Sequence, residues 1–252
     1  MGNARRIRTP EQIARIGRAG AVVAACHQEL RSRLRPGMTT ARIDQFVERY
    51  LRRHGARAAQ KGYKGFPYAT CASVNDTVCH GFPDDHPLSL GDLVTIDMVA
   101  ELDGWLADSA WTYAIGKPKP ADALLLDAAR QALYAGIRVA QAGNYIGDIG
   151  AAIERCAQRQ GLSVIPDFIG HGIGRAIHEK PEVFHTASQG RGERLEEGMV
   201  ITIEPILTAG DPSTFTHSDG WTVTTLDGSR TAQYEHTIAI TKGMPLILTR
   251  QR

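Results

Sequence analysis

Apolar positions recur at helical spacing in four stretches of the chain, and β-branched runs fill much of the remainder. The first helix is signed at its start by Thr9 as N-cap, Pro10 at the first helical position and Gln12 placed to close a capping box. Ile13, Ile16, Val23 and Leu30 then share a broad apolar face, so the pattern predicts a helix ending near Pro36-Gly37. A second fits Thr40 to His54, where Ile43, Phe46, Val47, Tyr50 and Leu51 fall at helical spacing and Gly55 supplies the stop. Helices also fit roughly 121–141 and 147–160. Strands are predicted over 69–75, 92–100, 105–114, 199–207, 221–226 and 233–241. The class is α+β.

The pattern repeats within the chain. Residues 36–55 match residues 142–161 at an offset of 106 through Gly37/Gly143, Ile43/Ile149, Glu48/Glu154, Arg49/Arg155, Arg53/Arg159 and Gly55/Gly161. At nearly the same offset, Gly91-Asp-Leu-Val-Thr-Ile-Asp97 resembles Gly198-Met-Val-Ile-Thr-Ile-Glu204, so a strand ending in a carboxylate follows each helical segment. The expectation is a single domain over 1–252 with internal halves at about 36–114 and 142–241. A pseudo-twofold axis between the halves would bring Asp97 and Glu204 together at their junction, where binding sites commonly form.

Composition narrows the class without changing the fold. With 42% hydrophobic and 22% charged residues and a net charge of +2, the chain reads as an ordinary globular protein with no specific nucleic-acid partner. The clusters Arg5, Arg6, Arg8 and Arg49, Arg52, Arg53 lack interleaved aromatics and read as solvated helix faces. The start carries no apolar leader, and no run approaches a membrane span. Cys26, Cys71, Cys79 and Cys156 form no CxxC pair, as expected of reduced thiols in a cytoplasmic protein.

The chemistry begins with acids placed among apolar neighbours. Asp97 lies within Val94-Thr-Ile-Asp-Met-Val99, and Asp103-Gly104 downstream is a strong two-residue hairpin signal. With that turn, Asp97 faces Ala110 and Asp108 faces Val99, which makes the two aspartates diagonal neighbours on one sheet face. Such a pair either shares a proton or holds a cation. Glu204 in Thr-Ile-Glu-Pro and Glu235 in Gln-Tyr-Glu-His repeat the acid within an apolar strand, and His171 adds an imidazole between small residues in Gly170-His-Gly-Ile-Gly174. Four carboxylates balance two divalent ions, whereas burying them bare costs several kcal/mol per ion. Oxygen-rich ligation with one nitrogen points to Mn, Fe, Co or Zn, among which sequence does not choose.

These residues, with Tyr63-Lys-Gly-Phe-Pro, Cys71, Val74-Asn-Asp-Thr-Val-Cys-His-Gly81, Asp108-Ser, His178-Glu-Lys-Pro, Thr202-Ile-Glu-Pro and Tyr234-Glu-His-Thr, resemble the type I methionine aminopeptidases of the M24 family from about residue 7 onward. The resemblance implies the pita-bread fold shared with prolidases, aminopeptidase P and creatinase, with two pseudo-twofold-related halves around an antiparallel sheet. It implies a catalytic metallopeptidase domain that removes the initiator methionine from nascent polypeptides when the second residue is small. Asp97, Asp108, His171, Glu204 and Glu235 are then ligands of two divalent ions, Asp108 and Glu235 bridging. His80, His178 and Glu204 are the catalytic residues, with Glu204 as proton shuttle, His178 stabilising the tetrahedral intermediate and His80 contacting the amide nitrogen. The expected partners are nascent N-termini near the ribosome, and the expected state is a cytoplasmic monomer.

Departures from the usual family pattern fall on the side-chain pocket. Ile177 stands where an aromatic is usual, Phe66 and Gln60 where tyrosine and cysteine are frequent, and Ser109 where threonine is usual. The pocket expected from Tyr63, Phe66, Cys71, Ile177 and Trp221 is apolar and tolerant of sulfur. Two rival readings share the fold: an Xaa-Pro peptidase, which would use all five ligands, and a binding module that has lost catalysis.

Overall fold

The computed structural model describes residues 7–187 and 191–251. Helix α1 covers Pro10–Arg31 and begins on the expected capping box, with Thr9 accepting from Gln12 N–H and the Gln12 side chain accepting from Thr9 N–H. It stops at Arg31 rather than near Pro36-Gly37, because Ser32 closes the last turn by donating to Leu30 O. Helix α2 spans Thr40–Arg53, α3 Pro120–Val139 and α4 Ile146–Gln158. Gly55 follows α2 at φ +73°, a left-handed stop that an L side chain would strain.

Strands Leu93–Leu102 and Trp105–Ala114 form the longest hairpin, turned by Asp103 and Gly104, both at positive φ. That two-residue turn fixes the register, so Asp97 pairs with Ala110 and Val99 with Asp108. Cys71–Val74 lies on the other side of Leu93–Leu102 and pairs Cys71 with Asp97. A second antiparallel ladder joins Gly170–Gly172, Val200–Ile203 and His236–Ala239. Two of the predicted strands are broken where the sequence suggested continuity. The 199–207 run divides into Val200–Ile203 and Ile206–Thr208 around Glu204-Pro205, and the 233–241 run divides around Glu235. Pro205 has no N–H to donate to a ladder, so the chain leaves its sheet there.

Each pair of helices covers its own ladder. Val23, Leu30, Ile43 and Leu51 pack on Val94, Ile96 and Met98, while Leu133, Ile149 and Ile153 pack on Ile201, Ile203 and Ile238. Every such side chain taken from water stabilises the fold by about 1.5–3 kcal/mol. The ladders meet where Trp111 bridges Tyr234 and Glu235 N–H donates to Ala110 O. The acids of both ladders therefore lie at one seam.

Candidate metal centre and substrate pocket

Backbone pairing across the seam positions two of the acids. Thr237 donates its hydroxyl to Asp108 O and accepts from Asp108 N–H, and Ser109 donates to Glu235 O at 2.8 Å. Asp108 and Glu235 are consequently held on facing strands, and both are buried. Gly170 and Gly172, on either side of His171, serve the strands rather than the ring. A Cβ on Gly170 would lie 2.4 Å from Thr202 O, and one on Gly172 would lie 2.3 Å from Lys180 O. Only glycine lets the neighbouring backbones come that close.

His171 Nδ1 sits 3.0 Å from Gly172 O, which places a proton on that nitrogen and leaves the Nε2 lone pair facing the acids. Nε2 lies 3.6 Å from Glu204 Oε1 and 3.9 Å from Asp108 Oδ2. Burial depresses the His171 pKa to about 3, so the ring is a neutral donor. Asp108, His171 and Glu235 offer ligand atoms all within 4.8 Å of one another. Asp97 and Glu204 complete the ring of acids and line the same cavity as His171, which encloses about 420 Å³ and also takes in His80 and His178.

Burial raises the pKa of Asp97, Asp108, Glu204 and Glu235, and repulsion from neighbouring acids adds to the rise at Asp108, Glu204 and Glu235. Glu204 reaches about 8. Asp97 Oδ1, Asp108 Oδ1 and Glu235 Oε1 are buried without a hydrogen-bond partner. Orphaned carboxylate oxygens converging beside an unprotonated imidazole nitrogen fit divalent cations, which supply the missing positive charge.

Two further histidines stand at the rim. His178 Nδ1 is 2.8 Å from the Tyr63 hydroxyl, and its ring centre is 4.4 Å from that of His171. Its pKa is lowered by desolvation and then by Lys64. His80, at φ +53°, packs edge-on against Phe168 and Trp221. A cavity of about 180 Å³ runs from Asp97 and Asp108 past His80 and His178, and Tyr63, Phe66, Cys71, Ile177 and Trp221 all line it, together with Gln60.

Some contributors carry no sequence signal. His185 accepts from Glu204 N–H through Nε2 while its Nδ1 is held by Phe168 O, and Thr202 donates to Glu204 Oε1 at 2.7 Å. Arg8 is also misplaced by the sequence reading. It pairs with Glu179 at a side chain only 8% exposed, not on a solvated helix face, because it precedes α1 in the chain. Arg49, Arg52 and Arg53 do lie exposed on and at the end of α2, and Arg5 and Arg6 fall outside the described residues.

Fold and donor set together define a metal-dependent peptidase. The sequence matches the profile of Metallopeptidase family M24 over residues 14–242. It is 40% identical to "Methionine aminopeptidase 1" of Bacillus subtilis, over 96% of this chain and 98% of that protein. The crystal structure of methionine aminopeptidase from Rickettsia prowazekii superposes with a TM-score of 0.95 at 39% identity, covering 97% of this chain and 99% of that one. Prolidase from Pyrococcus furiosus shares the fold at a TM-score of 0.81 and 22% identity, but this chain spans only 66% of it. The chain belongs to metallopeptidase family M24, in its methionine aminopeptidase branch, and has the pita-bread fold.

Proposed function

We propose that this protein removes the initiator methionine from nascent polypeptides whose second residue is small, using two divalent ions held by Asp97, Asp108, His171, Glu204 and Glu235. The observation that carries this reading is the set of buried, unpartnered carboxylate oxygens gathered beside His171 Nε2. Bound ions would supply Lewis-acid polarisation of the scissile carbonyl and acidification of water. Asp108 and Glu235, facing each other across the seam, are suited to touch both ions.

The protein's own groups account for the remaining work. Glu204 is anchored by Thr202 at one oxygen, and the other takes a proton from the attacking water and passes it to the departing amine. Burial raises the pKa of Glu204 to about 8, and a bound cation would lower it toward the working range, which suits a group that must both accept and release that proton. Tyr63 fixes the Nδ1 edge of His178, leaving Nε2 to donate to the oxygen on which charge develops. His80, which lines the same cavity, contacts the amide nitrogen. The side chain of the first residue enters the pocket of Tyr63, Phe66, Cys71, Ile177 and Trp221. The second residue would lie beside the ligand residues and the packed His80 and Phe168 rings, which suits small side chains.

An Xaa-Pro peptidase is disfavoured by the contrast between 22% identity to prolidase and 40% identity to a methionine aminopeptidase. Loss of catalysis is disfavoured by retention of all five donors. The single domain is read as two halves, about 36–114 and 142–241, related by a pseudo-twofold axis. Among the described residues no helix is long and apolar enough to cross a membrane, and the cysteines are unpaired thiols. We place the protein in the cytoplasm as a monomer acting near the ribosome. The test is hydrolysis of Met-Gly-Met-Met against Gly-Pro dipeptides with each of Co, Mn, Fe and Zn and with chelator. Chelator-sensitive release of methionine alone is expected, and cleavage of Gly-Pro in its place would overturn the assignment.

A further inference from the structure

Gln60 is a buried amide in the side-chain pocket, beside Tyr63, Phe66, Cys71, Ile177 and Trp221, and differs from the acids Asp97 and Asp108 of the same cavity in being neutral. Its orientation is fixed by chemistry. Val99 N–H is a donor, so the Gln60 oxygen must face it, and the two atoms are 2.7 Å apart. The Nε2 end therefore turns toward Cys71, whose sulfur lies 3.3 Å away. An amide nitrogen carries two hydrogens, and a thiol sulfur is a weak acceptor for either. Gln60 thus brings an under-used donor to the pocket. Tyr63 cannot serve in its place, because its hydroxyl is engaged with His178 Nδ1.

Methionine gives this donor little, since a thioether sulfur is itself a weak acceptor. A sulfoxide differs from a thioether by one oxygen on sulfur, which is a strong acceptor on a side chain of nearly the same shape. Building on the reading of this site as a methionine aminopeptidase, we propose that Gln60 is a specificity-determining residue that lets the pocket accept N-terminal methionine sulfoxide as well as methionine. The reaction is unchanged: water adds across the peptide bond, free methionine sulfoxide leaves, and the sulfur oxidation state is untouched. Because the amide sits on one wall, next to Cys71, it meets the oxygen of only one sulfoxide epimer well.

The experiment measures kcat/KM for otherwise identical tetrapeptides beginning with methionine, each methionine sulfoxide epimer, and norleucine. The metal-loaded natural protein is compared with Gln60→Met and Gln60→Leu. In the natural protein one epimer should be cleaved within about tenfold of methionine and the other markedly less, as one neutral hydrogen bond is worth up to about tenfold. Gln60→Met, which lacks the donor, should lower the favoured epimer by about tenfold more than it lowers methionine or norleucine. Gln60→Leu, of similar volume and likewise without a donor, together with the Tm of both variants, guards against a failure of Gln60→Met to fold. Gln60→Leu should show the same selective loss. Equal rates for the two epimers, discrimination of more than a hundredfold against both, or a parallel fall for every peptide in the variants would overturn the proposal. Failure of the natural protein to cleave the methionine peptide would instead overturn the underlying assignment and this inference with it.

Discussion

Asp108 and Glu235 differ from ordinary buried acids in having oxygens with no hydrogen-bond partner while their neighbours are also acids. Removing either one leaves any bound cations undercompensated and the remaining acids misaligned. Asp108→Ala and Glu235→Ala are each expected to lose metal and activity together, measured by metal content after dialysis and by methionine release. A variant that keeps two ions and full activity would contradict the bridging role. His178 makes the opposite case, since its Nδ1 is held by Tyr63 and none of the clustered ligand atoms is its own. His178→Ala should lower kcat by roughly a hundredfold with metal content near normal, as for a lost transition-state hydrogen bond. Stoichiometric loss of metal in that variant would make His178 a ligand.

The strand Gly170–Gly172 and the turn after it carry His171, Ile177 and His178 to the site. Their placement depends on two features outside the donor set. The close approach of Thr202 O and Lys180 O excludes any Cβ at positions 170 and 172. Glu179 closes the turn by accepting from Arg175 N–H and Ala176 N–H while it pairs with Arg8. Gly172→Ala must therefore push the His171 strand away from its neighbour. The expected result is metal affinity weakened by at least tenfold, in the range seen when groups supporting a metal ligand are disturbed. Isothermal titration of the metal-free protein checks this, and an unchanged affinity would show that the strand can shift without moving His171.

For the molecule as a whole, the seam between the two ladders concentrates negative charge that the fold itself leaves unbalanced. In the metal-free protein Asp97 titrates near 6 and Glu204 near 8, both raised by burial above the ordinary carboxylate range. A folded state that binds more protons than the unfolded one loses stability as pH rises. These acids therefore contribute fully below about pH 4, and that contribution is lost as pH climbs through 6 to 8. Cations oppose the loss at pH 8 but must displace protons at pH 5. The rise in Tm on replacing chelator by Mn should accordingly be larger at pH 8 than at pH 5. Differential scanning fluorimetry at the two values checks it, and an equal rise at both would mean that metals do not bind through these carboxylates.

Much of this was determined by the sequence alone, and the reason is that local chemistry specified it. The Thr9 capping box starts α1, the Asp103-Gly104 turn sets the register that makes Asp97 and Asp108 diagonal neighbours, and the helical spacing of Ile43, Val47 and Leu51 sets the buried face of α2. Each depends on residues near in sequence or on a periodicity that side-chain burial enforces. Tertiary structure alone decided the rest. Glu204 and Glu235 look like strand residues in sequence, yet they sit at breaks in the ladders, because Pro205 and the crossing at Trp111–Tyr234 end the pairing there. His185 reaches Glu204, Arg8 reaches Glu179 and the Gln60 amide turns toward Cys71 only because distant segments pack together. Contacts of that kind leave no period or spacing in the chain, since a single polar side chain becomes a partner only when folding has brought its donor or acceptor within about 3 Å.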